Sequence, residues 1–175
     1  LGEIHSAFQN AIAQNQYQGR YVCVYPIKVN QQRQVVQEIM DFGRQYGFGL
    51  EAGSKPELLA VAAMATNETP IVCNGFKDAE FIEMAMLAQK IGRQIIPVVE
   101  KYTELDLILR YAEKVGVRPN IGMRVKLAAR GGGRWQSSGG YRSKFGLTVT
   151  EILRGLELLK AHGMEDCFKL LHFHL

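Results

Sequence analysis

Paired cysteines, long apolar runs and blocks of like charge are all missing from this sequence. The three cysteines, Cys23, Cys73 and Cys167, lie far apart in apolar surroundings and lack the spacing of a metal site. We expect reduced thiols in the core of a cytoplasmic protein. No apolar stretch reaches the roughly 18 residues of a membrane-spanning helix, because Gly, Lys, Glu and Arg interrupt every candidate; no membrane partner is expected. The 21 basic and 17 acidic residues leave a net charge of +4, but the basic ones are scattered. That pattern argues against a nucleic-acid partner and only weakly for an anionic ligand. The chain opens Leu1-Gly2-Glu3-Ile4-His5, with no initiator methionine and no signal-like segment, so we expect a piece of a longer polypeptide. No Gly-x-Gly-x-x-Gly follows the first predicted strand, which removes the usual dinucleotide fingerprint.

What is present is enough apolar residue, 47% of 175 positions, to bury a real core. A helix is predicted where Ile4, Phe8, Ala11 and Ile12 share a face, then a β-branched strand from Tyr21 that closes at Lys28. Helix from Gln31 to Tyr46 is followed by a short extended piece, Phe48 to Ala52. Ser54-x-x-Glu57 is a capping box that opens the next helix. Pro70–Asn74 is the third strand, Asp78 caps a helix to about Ile91, and Gln94–Val99 is the fourth strand. Thr103 starts a fifth helical pattern, Asn120–Lys126 is the fifth strand, and Thr148-x-x-Glu151 is a second capping box. Phe168–Leu175 is the sixth strand. Strands alternating with amphipathic helices require parallel pairing with right-handed crossovers. The α/β fold class we expect is a partial (β/α)8 TIM barrel with about six of the eight βα units, residues 1–175 forming its N-terminal part. The polar residues Lys28, Asn30, Glu51, Asn74, Glu100, Arg124, Lys126 and His174 all fall at the carboxyl ends of strands, which converge on one mouth in a barrel.

Lys28 is the residue on which the chemistry turns. A bare ammonium at the end of a buried strand needs a partner: it snorkels to water or pairs with a carboxylate, or it serves, partly desolvated, as the amine of a Schiff base. Glu51 and Arg124 read as an ion pair bracing the mouth, a role compatible with setting the charge around such an amine. His172 and His174 have the same parity, so both point to one face. No third ligand with convincing spacing accompanies them, so no metal site is assigned. The interval from Leu127 to Phe145, containing Arg130-Gly131-Gly132-Gly133-Arg134-Trp135, is too long for a routine connection; we expect an active-site loop over a charged ligand, with a solvent-exposed loop as the alternative.

Assembled in this order, the motifs Tyr25-Pro26-Ile27-Lys28-Val29-Asn30, Leu50-Glu51-Ala52-Gly53-Ser54-Lys55-Pro56-Glu57, Cys73-Asn74-Gly75-Phe76-Lys77-Asp78, Gly122-Met123-Arg124-Val125, Ser143-Lys144-Phe145-Gly146 and Leu171-His172-Phe173-His174 carry a resemblance. The chain resembles the alanine-racemase-like barrel of pyridoxal-phosphate-dependent decarboxylases, and within it the biosynthetic arginine decarboxylases. The resemblance implies that Lys28 holds pyridoxal phosphate as a Schiff base, that His174 lies against the cofactor ring, and that Glu51 and Arg124 bind around them. Lys28 and His174 are thus the implied catalytic residues. The implied reaction is decarboxylation of L-arginine to agmatine, the first step of a polyamine route. The resemblance leaves room for magnesium, although no carboxylate cluster identifies a site. It also implies a homo-oligomer, and places the phosphate loop, the partner of the pyridine nitrogen and a β-domain beyond Leu175, so this piece alone should be inactive. Decarboxylases of other basic amino acids or of diaminopimelate, a racemase, and a non-catalytic carrier of the cofactor share the lysine strand; the Trp135 loop favours the arginine branch.

Overall fold

The structure, a computed structural model, describes residues 1–127 and 144–174. The arginine–glycine loop around Trp135 lies outside the described residues. Six strands form one sheet: β1 (Val24–Pro26), β2 (Gly49–Ala52), β3 (Pro70–Cys73), β4 (Gln94–Val99), β5 (Ile121–Arg124) and β6 (Phe168–His172). Each pairs in parallel with the next, in the order β1-β2-β3-β4-β5-β6. A doubly wound sheet reverses its strand order at a switch point; no reversal occurs here. The winding is that of a barrel wall, and the carboxyl ends of the strands share one rim.

The helices are α1 (Gly2–Gln14), α2 (Arg33–Gly43), α3 (Lys55–Met64), α4 (Ala79–Lys90), α5 (Tyr102–Val115) and α6 (Val149–Ala161). The predicted N-caps form. Asp78 Oδ1 accepts the Phe81 N–H at 2.9 Å, and Thr148 and Glu151 exchange bonds in a complete capping box. The box at Ser54 is only half made, because the Glu57 carboxylate accepts the Gly53 N–H at 2.7 Å instead of that of Ser54. β2 is buried along its whole length, and Ile71, Ile95 and Ile121 continue the same apolar layer across the sheet. This is the two-sided burial expected of parallel strands. Gly49 is required by a close approach, since a Cβ there would stand 2.5 Å from the Pro70 carbonyl oxygen.

Three elements depart from expectation. β1 ends at Pro26, not Lys28, because proline lacks the N–H that would continue the ladder; Ile27–Val29 forms a 3₁₀ turn instead. β6 stops at His172, leaving His174 beyond the strand. The α1 face of Ile4 and Phe8 stays half exposed, and the helix is held mainly by aromatic contacts, Phe8 stacking on Tyr21 with centroids 4.0 Å apart.

Candidate active site

Because strand order follows chain order, the rim carries Lys28, Glu51, Asn74, Glu100, Arg124 and His172 in sequence, one from each successive strand or its following turn. Lys28 stands on the 3₁₀ turn after β1 and is exposed, so of the alternatives open to it the ammonium reaches water and is not partly desolvated. The turn closes on Asn30, whose side-chain oxygen accepts the Gln32 N–H at 3.0 Å and starts α2. Glu51, on β2, is 6% exposed. Burial pushes its carboxyl group above the usual carboxylate range; the Lys28 ammonium and the Asn74 side chain pull it back, while Glu57 and Glu100 add to the rise. Lys28 and Glu51 are therefore electrostatic neighbours.

The expected Glu51–Arg124 ion pair is not formed. Arg124 Nη1 donates to Glu100 Oε1 at 2.7 Å. Topology gives the reason: Glu100 leaves β4, which adjoins β5, whereas β3 and β4 stand between Glu51 and Arg124. Arg124 also lies over the Phe145 ring, 5.9 Å from its centroid. At the end of β6, His172 is half-buried, and its imidazole is held below the ordinary histidine range first by burial, then by the positive charge of Arg124 and by His174, with Glu100 opposing. His174 is exposed, its ring centroid 6.2 Å from that of His172. The two histidines thus stand together although His174 lies beyond the strand, and the more buried of them is His172.

Of six buried side-chain polar atoms without a hydrogen-bond partner among the described residues, four stand on this rim: Glu51 Oε2, Asn74 Oδ1, Glu100 Oε2 and His172 Nδ1. Buried polar atoms are nearly always satisfied, so their concentration around a free amine marks a place built to receive a polar ligand. An aldehyde-bearing, anionic cofactor fits this donor set: an accessible amine to bind it, a guanidinium for negative charge, and unsatisfied acceptors and imidazole for ring substituents. Among the described residues no group of three His, Cys, Asp or Glu could hold a metal ion, and no helix is long and apolar enough to cross a membrane.

Sequence reasoning missed Lys77 and Glu104, which are fully buried beneath the rim. Neither carried a clear sequence signal: Glu104 stands three residues after the helix N-cap Lys101, but a lysine cannot accept the amide bond that a capping box requires.

Comparison with known proteins agrees with this geometry. Residues 1–175 match the family described as pyridoxal-dependent decarboxylase, pyridoxal binding domain. A biosynthetic arginine decarboxylase from Rhodopirellula baltica is 64% identical over 175 residues, covering 100% of this chain and 26% of that protein. One from Bacteroides thetaiotaomicron is 51% identical over 176 residues, covering 100% of this chain and 28% of that protein. The crystal structure of the biosynthetic arginine decarboxylase SpeA from Campylobacter jejuni superposes with a TM-score of 0.86 at 37% identity, over 99% of this chain and 28% of that one. Diaminopimelate decarboxylase from Helicobacter pylori, solved with L-lysine, shares the fold at a TM-score of 0.70 and 24% identity, over 99% of this chain and 42% of that one. This chain thus spans 26–28% of the length of the arginine decarboxylases it matches. A rim that gathers a free lysine and unsatisfied polar atoms on a sequentially wound parallel sheet, together with a match over every residue, makes this chain a member of the pyridoxal-dependent decarboxylase family through its pyridoxal-binding domain.

Proposed function

We propose that residues 1–175 form the N-terminal part of a pyridoxal-phosphate-binding barrel in an enzyme that converts L-arginine to agmatine and carbon dioxide, the opening step of a polyamine route. One juxtaposition carries the proposal: the exposed Lys28 amine stands on the same rim as the four unpartnered buried atoms. The similarity to arginine decarboxylases along the whole chain supports arginine over other amino acids.

Pyridoxal phosphate, when bound, supplies an electron sink for the pair left behind by a departing α-carboxylate. The chain's own residues do the rest. Lys28 is the amine that would hold the cofactor through its aldehyde group. Glu51, with its proton affinity raised by burial, exchanges a proton at its carboxyl oxygen beside that amine. Arg124, held by Glu100, presents fixed positive charge that orients an anionic group. His174 would hold the cofactor by ring contact, with His172 beside it, its proton affinity reduced by burial. The three free thiols suit a reducing, cytoplasmic setting, and the same reading includes a homo-oligomer, which sizing would reveal.

The test is release of labelled carbon dioxide from carboxyl-labelled arginine by the intact protein loaded with pyridoxal phosphate. Release from ornithine, lysine or diaminopimelate in its place would move the assignment to another decarboxylase of this fold. A borohydride-fixed cofactor without release from any of them would leave a carrier.

A further inference from the structure

Beneath the rim the fold buries a second pair of opposite charges. Lys77, in the loop between β3 and α4, and Glu104, in the first turn of α5, have side chains only 0% and 2% exposed, with Lys77 Nζ 3.4 Å from Glu104 Oε2. The ammonium also donates to the Gly75 carbonyl. Gly75 has φ +79°, and a Cβ there would stand 3.0 Å from the Gly53 carbonyl oxygen, so the loop is seated tightly on the one before it. A buried ion pair is a poor source of stability, because apolar side chains of similar volume do as well or better. Its bonds say more.

One oxygen of Glu104 accepts the Lys77 N–H at 3.1 Å, and the other accepts the N–H groups of Glu100 at 2.7 Å and Lys101 at 3.4 Å. A single carboxylate thereby ties the loop after β3 to the turn after β4. Glu100 is the residue whose side chain holds Arg124. Its backbone carbonyl accepts the Gly146 N–H at 2.9 Å, and the Arg124 carbonyl accepts that of Leu147 at 2.7 Å. The bonds run without a gap from Lys77 through Glu104 and Glu100 to the guanidinium.

We propose that Lys77 and Glu104 are positioning residues of the candidate active site: the buried pair fixes two neighbouring loops against each other and so holds the Glu100 carboxylate where it orients Arg124. The kinetic part of this inference rests on the decarboxylase reading of the rim; the structural part does not.

The experiment uses the intact protein with Lys77→Met, and with Lys77→Met combined with Glu104→Gln, which leaves no uncompensated buried carboxylate. In cofactor-free protein, amide exchange is followed at Glu100 and Lys101, which donate to Glu104, and at Gly146 and Leu147, one and two bonds further on. Exchange should quicken by about tenfold or more at both places. Faster exchange at Glu100 and Lys101 alone would make the pair a local brace and overturn the proposal. In the loaded enzyme, kcat for arginine should fall by roughly 10- to 100-fold, while borohydride still fixes the cofactor on Lys28. Undiminished turnover in both variants, or loss of the cooperative unfolding transition in both, would overturn it equally. If the wild-type protein releases no carbon dioxide from arginine, the functional reading has failed and the exchange measurement alone decides.

Discussion

At the carboxyl ends of the strands one group of charges is buried: Glu51, Glu100, Glu104 and Lys77 are each less than a tenth exposed, and Arg124 is mostly covered. Lys28 and the pairs of Lys55 with Asp78 and Glu80, on the same side, reach solvent. At the opposite end, where helices finish and strands begin, the ion pair Arg118–Asp166 stands in solvent, with side chains 56% and 66% exposed. A groove between α5 and α6, lined by Arg110, Glu113, Arg118 and His162, opens at that end too, yet it gathers no buried unpartnered atom. The same side-chain types thus serve two purposes. Exposed pairs are screened and contribute little, whereas each buried charge incurs a desolvation cost that only a partner or a ligand offsets. Among the described residues unsatisfied burial, more than charge as such, is concentrated at the candidate rim, with four such atoms there against Gln89 Oε1 at the supporting end.

That contrast can be broken most severely at Lys28. Lys28→Ala should remove both the borohydride-fixable cofactor and arginine turnover, since Lys28 is the amine assigned to the aldehyde while Lys55 and Lys77 on the same side are held in ion pairs; a reducible adduct persisting in the variant would move the attachment elsewhere. Next comes Arg124→Met, which strands the Glu100 carboxylate in a buried site and should lower stability by about 3–5 kcal/mol in urea unfolding. Adding Glu100→Leu should restore most of the loss, and failure to restore it would mean that packing rather than charge is at stake. A smaller, pH-dependent effect belongs to His172. Its folded-state affinity for a proton is reduced, so the stability it contributes is present above the ordinary histidine range and is lost as pH falls through the lower folded value. The urea midpoint should decline on acidification in the wild type and decline less in His172→Asn; parallel profiles would remove His172 as the cause. At the bottom of the scale, Arg118→Ala should leave the midpoint within experimental error at physiological salt, and a clear drop there would erase the distinction between the two ends.

Much of this architecture was legible in the sequence because parallel strands buried on both faces declare themselves as short apolar runs and helix starts declare themselves by their caps. β4 has its predicted bounds, and Asp78 and Thr148 cap the helices assigned to them. Lys28, Glu51, Arg124 and His174 reach the same rim for the same reason: each closes or follows a strand. What failed was pairing. Nothing in a single sequence says that Arg124 meets Glu100 and not Glu51, since that follows from strand adjacency, which appears only once the winding is known. Lys77 escaped because burial of a lysine depends on two loops meeting over it. The end of β1 was missed although Pro26 was in view; its missing N–H is a stop signal that outweighs the β-branched run before it.

The winding order has one more consequence. Side-chain bonds across the top of the wheel recur at nearly constant intervals along the chain: Gln31 to Glu57 spans 26 positions, Lys55 to Glu80 spans 25, Lys77 to Glu104 spans 27 and Glu100 to Arg124 spans 24. Each joins one βα segment to the next, like clasps in a necklace. Excising a whole segment would bring two compatible links together, whereas trimming part of one would open a clasp on either side, so length changes in this family should be tolerated in units of a full repeat or in the tips of loops, and hardly anywhere between.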